Sequence, residues 1–296
     1  MILVTGATGF VGTRIVHLLR VTGRPVRCLV RDRTRAETLR AWGCEIVVGD
    51  MRDADSLASA TQGCEAVVHL VAILAGRPQD FALVMQEGTR SLVRASGASG
   101  VKRFVLMSAL GLDAEGATRV PYYVAKQANE EAVRAGGLSH VILRPSFMFG
   151  RDGGALARFA RIVRLSPLVP VPGPGTQRIQ PVWVDDVARA VTLALSHDEN
   201  LTIEIGGPDV VTWNELWRAI AARLRKRRRL VHVPFAALRP GAVLAERLPG
   251  PPLTRDQLTM LQLDDNVVSD GGASMARLGL TDLMPLEEQL GKGLER

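Results

Sequence analysis

Six short apolar runs, alternating with stretches of helical spacing, limit what this chain can fold into more than any other feature. The runs cover residues 2–5, 25–30, 45–49, 66–71, 103–108 and 140–143. Between them, residues 11–20, 53–62, 79–96 and 120–134 carry apolar side chains at helical intervals. This alternation predicts an α/β fold: a doubly wound parallel sheet of the Rossmann type with helices on both faces. The runs are continuously apolar rather than alternating, as strands covered on both sides must be. We expect a dinucleotide-binding domain over residues 1–146 and a smaller substrate or interaction subdomain over residues 147–296. Within the latter, residues 167–175 read as a Pro/Gly-rich loop and 178–184 as a strand. A helix at 187–196, a strand at 201–206 and a helix opened by Thr212 follow. Residues 178–206 are expected to return a strand and a helix to the main sheet. Asp185 and Asp186 read as caps of the intervening helix rather than as an acid/base pair.

The first strand runs directly into Thr5-Gly6-Ala7-Thr8-Gly9-Phe10-Val11-Gly12. Gly6 permits a tight turn, Gly9 admits a pyrophosphate close to the backbone, and Gly12 lets helix and strand pack closely. A diphosphate would then sit on free N–H groups at the positive end of the helix. Gly6, Thr8, Gly9, Phe10, Val11 and Gly12 are therefore candidate coenzyme contacts. The second strand closes on Arg31, followed by Asp32, Arg33 and Arg35. A carboxylate there would suit the ribose 2′-hydroxyl of NAD(H), and a guanidinium the 2′-phosphate of NADP(H). Arg31 with Arg33 or Arg35 favours NADP(H). An inward-turned Asp32 would leave NAD(H) as the alternative.

The chain has two tyrosines, Tyr122 and Tyr123, and four lysines against 33 arginines. Tyr122 and Lys126 stand four apart, on one face of a helix. A phenol titrating near pH 10 needs a nearby ammonium to exchange protons at neutral pH. Ser108, at the end of the fifth strand, is placed to hold a substrate oxygen. Ser108, Tyr122 and Lys126 form the candidate catalytic set.

These marks together resemble the short-chain dehydrogenase/reductase superfamily in its extended or atypical branch, over essentially the whole chain. The resemblance implies an adenine contact at Asp50 with Met51 beside it. It also implies coenzyme contacts at Val71 and Ala72 of His69-Leu70-Val71-Ala72, at Lys126, and at Pro145 of Arg144-Pro145-Ser146. The segments Gln180 to Ala188, Gly206-Gly207-Pro208-Asp209, Leu253 to Gln257 and Asp265-Asn266-Val267-Val268 are similar to one subgroup. That subgroup contains the NADPH-binding accessory subunit of respiratory complex I and its bacterial relatives. One implied activity is hydride transfer between nicotinamide and a small carbonyl or hydroxyl substrate, including epimerisation. The other is a weakly catalytic or non-catalytic NADPH holder near a membrane respiratory complex or quinone biosynthesis. Many members carry an Asn on the fourth helix that supports the catalytic Lys through water, and here Met85 occupies the expected place, with Gln86 next to it.

Composition removes other classes. At 296 residues, 47% apolar and 23% charged, the chain is of ordinary globular type. It lacks the 18-residue apolar run of a bilayer-spanning helix. No leader pattern is visible, so a cytoplasmic location is expected, with the inner face of a membrane as the alternative. Cys28, Cys44 and Cys64 are widely spaced, and His17, His69, His140, His197 and His232 are scattered, so no metal site is expected. The net charge of +7 owes much to Arg223, Arg225, Lys226, Arg227, Arg228 and Arg229. No aromatic residue interleaves this run, which argues against nucleic acid. It reads as a solvated helix end or, next to an apolar stretch at 231–248 interrupted by Pro240 and Gly241, as a peripheral membrane contact.

Overall fold

Each of the six apolar runs forms a strand in the computed structural model, which describes residues 1–74, 76–151, 153–245, 254–263 and 265–295. They are β1 (Ile2–Thr5), β2 (Val26–Val30), β3 (Glu45–Val48), β4 (Ala66–His69), β5 (Arg103–Met107) and β6 (Ser139–Pro145). Leu201–Ile205 adds a seventh strand beside β6. All pairings in this sheet are parallel, in the spatial order Leu201–Ile205, β6, β5, β4, β1, β2, β3. The chain winds outward from β1 to β3, then returns to β4 on the other side of β1. That reversal leaves a crevice beyond the carboxyl ends of β1 and β4, where open α/β sheets take ligands.

Both faces of the sheet are covered. The helix α1 (Phe10–Val21) buries Gly12, Ile15, Val16 and Leu19 on one face, beside the Val184–Leu195 helix. The helices Ala54–Thr61, Gly88–Ala98 and Pro121–Ala135 cover the other, where Leu57, Leu92, Val93 and Val133 meet Leu3, Val67 and Phe104. A separate core gathers the aromatic residues of the carboxy-terminal half. Phe159 stacks edge-on at 5.5 Å from Trp213 and tilted at 5.0 Å from Trp217, and Phe147 meets Trp213 at 5.3 Å. Such pairs contribute about 1 kcal/mol each beyond their burial.

Several expectations for the carboxy-terminal half need correction. Leu168–Pro172 is a strand, not a loop, and pairs in parallel with Arg229–Val233. Val169 and Val171 alternate into the aromatic core, and a strand with one neighbour tolerates proline because its missing N–H faces no partner. Residues 178–184 do not form one strand. Arg178–Ile179 pairs antiparallel with Val211–Thr212, and Val182–Trp183 pairs in parallel with Met148–Gly150. Between them Gln180 turns its amide to the Gly207 carbonyl and the Val268 N–H, and Pro181 has no N–H to give a ladder. Asp185 and Asp186 lie in the first helical turn but cap nothing. Asp186 accepts from the Met284 N–H and from Arg189, and Asp185 accepts from the Trp183 indole and pairs with Arg14. They fasten other segments to the positive end of the helix. Phe235–Ala245 runs as a helix through Pro240, whose missing N–H deprives only the solvent-facing turn at Ala236. The end of the apolar stretch at 231–248 lies outside the described residues.

Candidate coenzyme and proton-transfer site

The glycine turn is shaped by what a side chain would strike. Gly6 sits at φ +74°, a left-handed conformation that favours glycine, and a Cβ there would lie 3.1 Å from the Leu70 carbonyl carbon. A Cβ on Gly12 would lie 2.2 Å from the Gly6 carbonyl oxygen and 2.8 Å from Ala7 Cα. The Gly9 N–H donates to the Gly6 carbonyl at 3.1 Å, and no side chain caps α1 at Gly9. The first N–H groups of α1, at Phe10, Val11 and Gly12, are therefore left for an anion in the crevice. Thr8 is half-buried beside them. The Phe10 ring points away into a bed of glycines, where a Cβ on Gly150 or Gly153 would lie 2.6 Å from it. Phe10 thus offers its backbone, and its ring seats Gly150, Gly153 and Gly154 over the start of α1.

The rim beyond β2 presents a row of cations. Arg31, Arg33 and Arg35 are exposed. Asp32 faces the other way: its Oδ1 accepts from the Thr34 N–H at 2.8 Å and from the Thr34 hydroxyl at 2.7 Å, which holds the carboxyl below its usual range. It caps the short turn Arg33–Ala36. Asp50, after β3, accepts twice from Arg52 and from its N–H, and those bonds with nearby Arg31 lower its pKa. Met51 is buried against Leu57, Leu92 and Gly88, so its side chain belongs to the core. Val71 is half-buried and Ala72 exposed after β4, and Pro145 is buried at the end of β6.

Lys126 is 1% exposed. Its Nζ donates to the Met107 carbonyl at 2.6 Å, at the carboxyl end of β5, and lies 5.7 Å from the centre of the Tyr122 ring. Burial brings its pKa down to about 8, although Glu130 pulls the other way. The ammonium faces the Tyr122 ring, and burial among Ile73, Phe81 and Met85, with Tyr123 beside it, holds the phenol well above its ordinary pKa. The expected lowering of the Tyr122 pKa by Lys126 is thus absent, because desolvation outweighs an ammonium aimed at the ring. Tyr123 is pushed up to about 12 by burial, and its hydroxyl borders Gly111. Ser108 is buried with its hydroxyl proton on Glu130 Oε1 at 2.6 Å. It is therefore not free to donate to a substrate oxygen.

Two polar networks were not foreseen. Glu130, 1% exposed, accepts from Ser108, from Arg134 at 2.8 Å, and from Arg144 at 2.8 Å through both of its oxygens. Those partners hold its carboxyl below the usual range despite burial. A second chain starts at Thr5, whose Oγ1 meets His69 Nδ1 at 2.7 Å. His69 Nε2 meets Thr89 Oγ1 at 2.9 Å, and the Asn129 amide meets Thr89 Oγ1 at 3.2 Å and donates to the Met85 and Ala125 carbonyls at 3.0 Å. Burial and Lys126 bring the His69 pKa down to about 3, so the ring is neutral. Met85 lies in a π-helical turn, Phe81–Glu87, a feature that often marks functional sites. Its thioether packs against Phe81 and Ala125, and its carbonyl is tied to the Lys126 helix through Asn129. The sequence held one signal for both networks: Lys126, Asn129 and Glu130 share a helix face that also carries apolar Val133.

The buried ammonium gives a stability prediction. Between about pH 8 and the unfolded lysine value near 10.4, the unfolded chain keeps a proton that the folded chain has lost, so stability rises with pH. Replacing Lys126 with Met removes the effect. From pH 7 to pH 11, wild type should gain on the order of 3 kcal/mol relative to Lys126→Met in urea unfolding. A constant difference would mean that Lys126 does not titrate as described.

Comparison with known proteins agrees with this geometry. The chain matches the NAD(P)H-binding family over residues 6–167. It is 30% identical to the ceramide reductase of Caulobacter vibrioides over 79% of this chain and 74% of that protein. It is 31% identical to NADH dehydrogenase [ubiquinone] 1 alpha subcomplex subunit 9 of Arabidopsis thaliana, covering 95% of this chain and 73% of the relative. The fold superposes on the UDP-glucose 4-epimerase of Thermus thermophilus in complex with NAD at TM-score 0.75, covering 99% and 97% of the two chains at 23% identity.

Proposed function

Because the chain belongs to the NAD(P)H-binding family of extended short-chain dehydrogenases/reductases, we propose that it moves hydride between a nicotinamide and a carbonyl or hydroxyl substrate. The observation that carries this reading is the placement of Lys126, buried, with Nζ on the Met107 carbonyl and against the Tyr122 ring. That pair sits at the carboxyl edge of β5, two strands from the uncapped glycine turn. The turn's open N–H groups fit a diphosphate, and we favour NADP(H) because Arg31 and Arg33 line the rim while Asp32 is turned to Thr34. The coenzyme supplies the hydride. Tyr122 holds a proton at Oη and gives it to the substrate oxygen as the carbonyl is reduced. Its raised pKa keeps that proton on Oη at neutral pH. Lys126 steadies the phenolate left behind and orients the ribose. Glu130 and Arg144 hold the end of β5 in register with the Pro121–Ala135 helix.

Two observations favour a second reading, a coenzyme holder with little turnover. The Ser108 hydroxyl is committed to Glu130, and Met85 stands where an amide is expected. The two readings separate with NADPH and a panel of aldehydes, ketones and quinones, followed at the nicotinamide absorbance. Under the catalytic reading wild type oxidises NADPH with at least one substrate. Tyr122→Phe then loses at least about a hundredfold in turnover, the usual share of a general acid, with NADPH affinity nearly unchanged. Unchanged turnover in Tyr122→Phe removes the catalytic reading. Wild type that retains NADPH through gel filtration but reduces nothing leaves the holder.

A further inference from the structure

Charge is segregated within this chain to an unusual degree. From Gly153 to Val184 there are four arginines and no acidic residue, and from Leu216 to Val243 there are eight basic residues and no acidic one. These two segments hold twelve of the 37 basic residues and none of the 30 acidic ones, so the rest of the chain, with 25 basic residues, is net negative. The fold brings the two segments together. Leu168–Pro172 pairs with Arg229–Val233, and Arg228 donates from Nε to the Val163 carbonyl at 2.7 Å, closing the end of the Gly154–Leu165 helix.

The paired strands have two unlike faces. Val169 and Val171 point into the aromatic core. On the outer face, Leu168 stands opposite Arg229 and Pro170 opposite Val231, all four exposed. Leu165 is 73% exposed, Leu168 50% and Val231 38%. Arg161, Arg225, Lys226 and Arg227 are exposed nearby and make no side-chain ion pair among the described residues. Leucines projecting to solvent within a field of unpaired cations match a surface with anionic head groups above apolar tails.

We propose that this face, the outer side of the Leu168–Pro172 and Arg229–Val233 pair with the adjoining ends of the Gly154–Leu165 and Trp213–Arg223 helices, docks on an anionic lipid surface. The guanidinium and ammonium groups meet lipid phosphates, and Leu165, Leu168 and Val231 enter the interface. An acidic protein groove is a poorer fit, because the cations surround exposed apolar side chains rather than forming a row. No residue of the coenzyme crevice takes part, so this inference is independent of the reading of that site.

The test is co-sedimentation of the full chain with vesicles of phosphatidylcholine, alone or with about one third phosphatidylglycerol. Binding is expected to the anionic vesicles, weak on phosphatidylcholine alone, and reduced by raising salt from about 0.05 M to about 0.5 M. Combining Arg225→Gln, Lys226→Gln and Arg227→Gln should weaken partitioning roughly a hundredfold, at about fivefold per charge. Leu165→Ser with Leu168→Ser should remove the binding that survives salt. Arg228 stays unchanged in both variants because it closes a helix end, and an unaltered thermal midpoint reports that each variant is folded. Absence of binding to anionic vesicles at low salt overturns the proposal. So does equal binding of the triple variant, or binding to single-stranded nucleic acid or polyglutamate in preference to vesicles.

Discussion

Gly12→Ala is expected to abolish measurable coenzyme binding, a loss of at least about a hundredfold in affinity, while the rest of the molecule stays folded. The added Cβ would lie 2.2 Å from the Gly6 carbonyl oxygen, 2.8 Å from Ala7 Cα and 2.9 Å from the Ala7 carbonyl carbon. All three are backbone atoms, so no side chain can rotate to relieve the contact. Relief requires α1 to move away from the turn, and that movement carries the open N–H groups of Phe10, Val11 and Gly12 out of register with a diphosphate. Gly97→Ala is the control. It lies within the Gly88–Ala98 helix, and a Cβ there meets nothing within 4 Å, so helix propensity alone should make it neutral or slightly stabilising. Equal coenzyme affinity in both variants would show that the diphosphate does not rest on this turn.

Glu130→Gln is expected to be the most destabilising single substitution in the site, costing about 3–5 kcal/mol in urea unfolding at neutral pH. The carboxylate is buried and serves Ser108, Arg134 and Arg144 together, and the Arg144 side chain is only 11% exposed. Without it, Arg144 keeps Asp113 alone, which is 72% exposed and screened by water. Exposed Glu131→Gln should change stability by less than about 0.5 kcal/mol. The pH dependence has a definite sign. The folded-state pKa of Glu130 is lowered, so its contribution is present above the unfolded value near 4.3 and fades as pH falls through the folded one. The gap between wild type and Glu130→Gln should therefore narrow in acid. Adding Arg144→Met should recover part of the loss, since the stranded charge is then gone. A gap independent of pH would mean that the carboxylate is not ionised in the fold.

The sheet was legible because its signal is local and redundant: the apolar runs alternate with helical patterns, and a strand buried on both faces needs no periodicity to be seen. The glycine turn was legible for a similar reason, since its spacing answers to contacts within eight residues, as the Gly12 to Gly6 approach shows. What escaped depends on contacts distant in sequence. Leu168–Pro172 looks like a loop until Arg229–Val233, some sixty residues on, supplies its strand partner. Ser108 looked available until Glu130 was found to hold its proton, and Tyr122 looked ready to ionise until burial was weighed against the ammonium over its ring. Asp186 looked like a cap because its place in the helix is right, but the Met284 N–H it binds lies 98 residues away. Side-chain roles in this site are decided by which buried partner arrives first, and that is a property of the assembled core.

Isothermal titration of the wild-type chain with NADPH, and separately with NADH, reaches the central claim with the fewest intervening steps. One site per chain is expected for NADPH, at about micromolar affinity or tighter, with NADH weaker by roughly tenfold because it lacks the 2′-phosphate proposed to meet Arg31 and Arg33. No heat with either nucleotide at about millimolar concentration would contradict the claim that the turn after β1 is a diphosphate cradle.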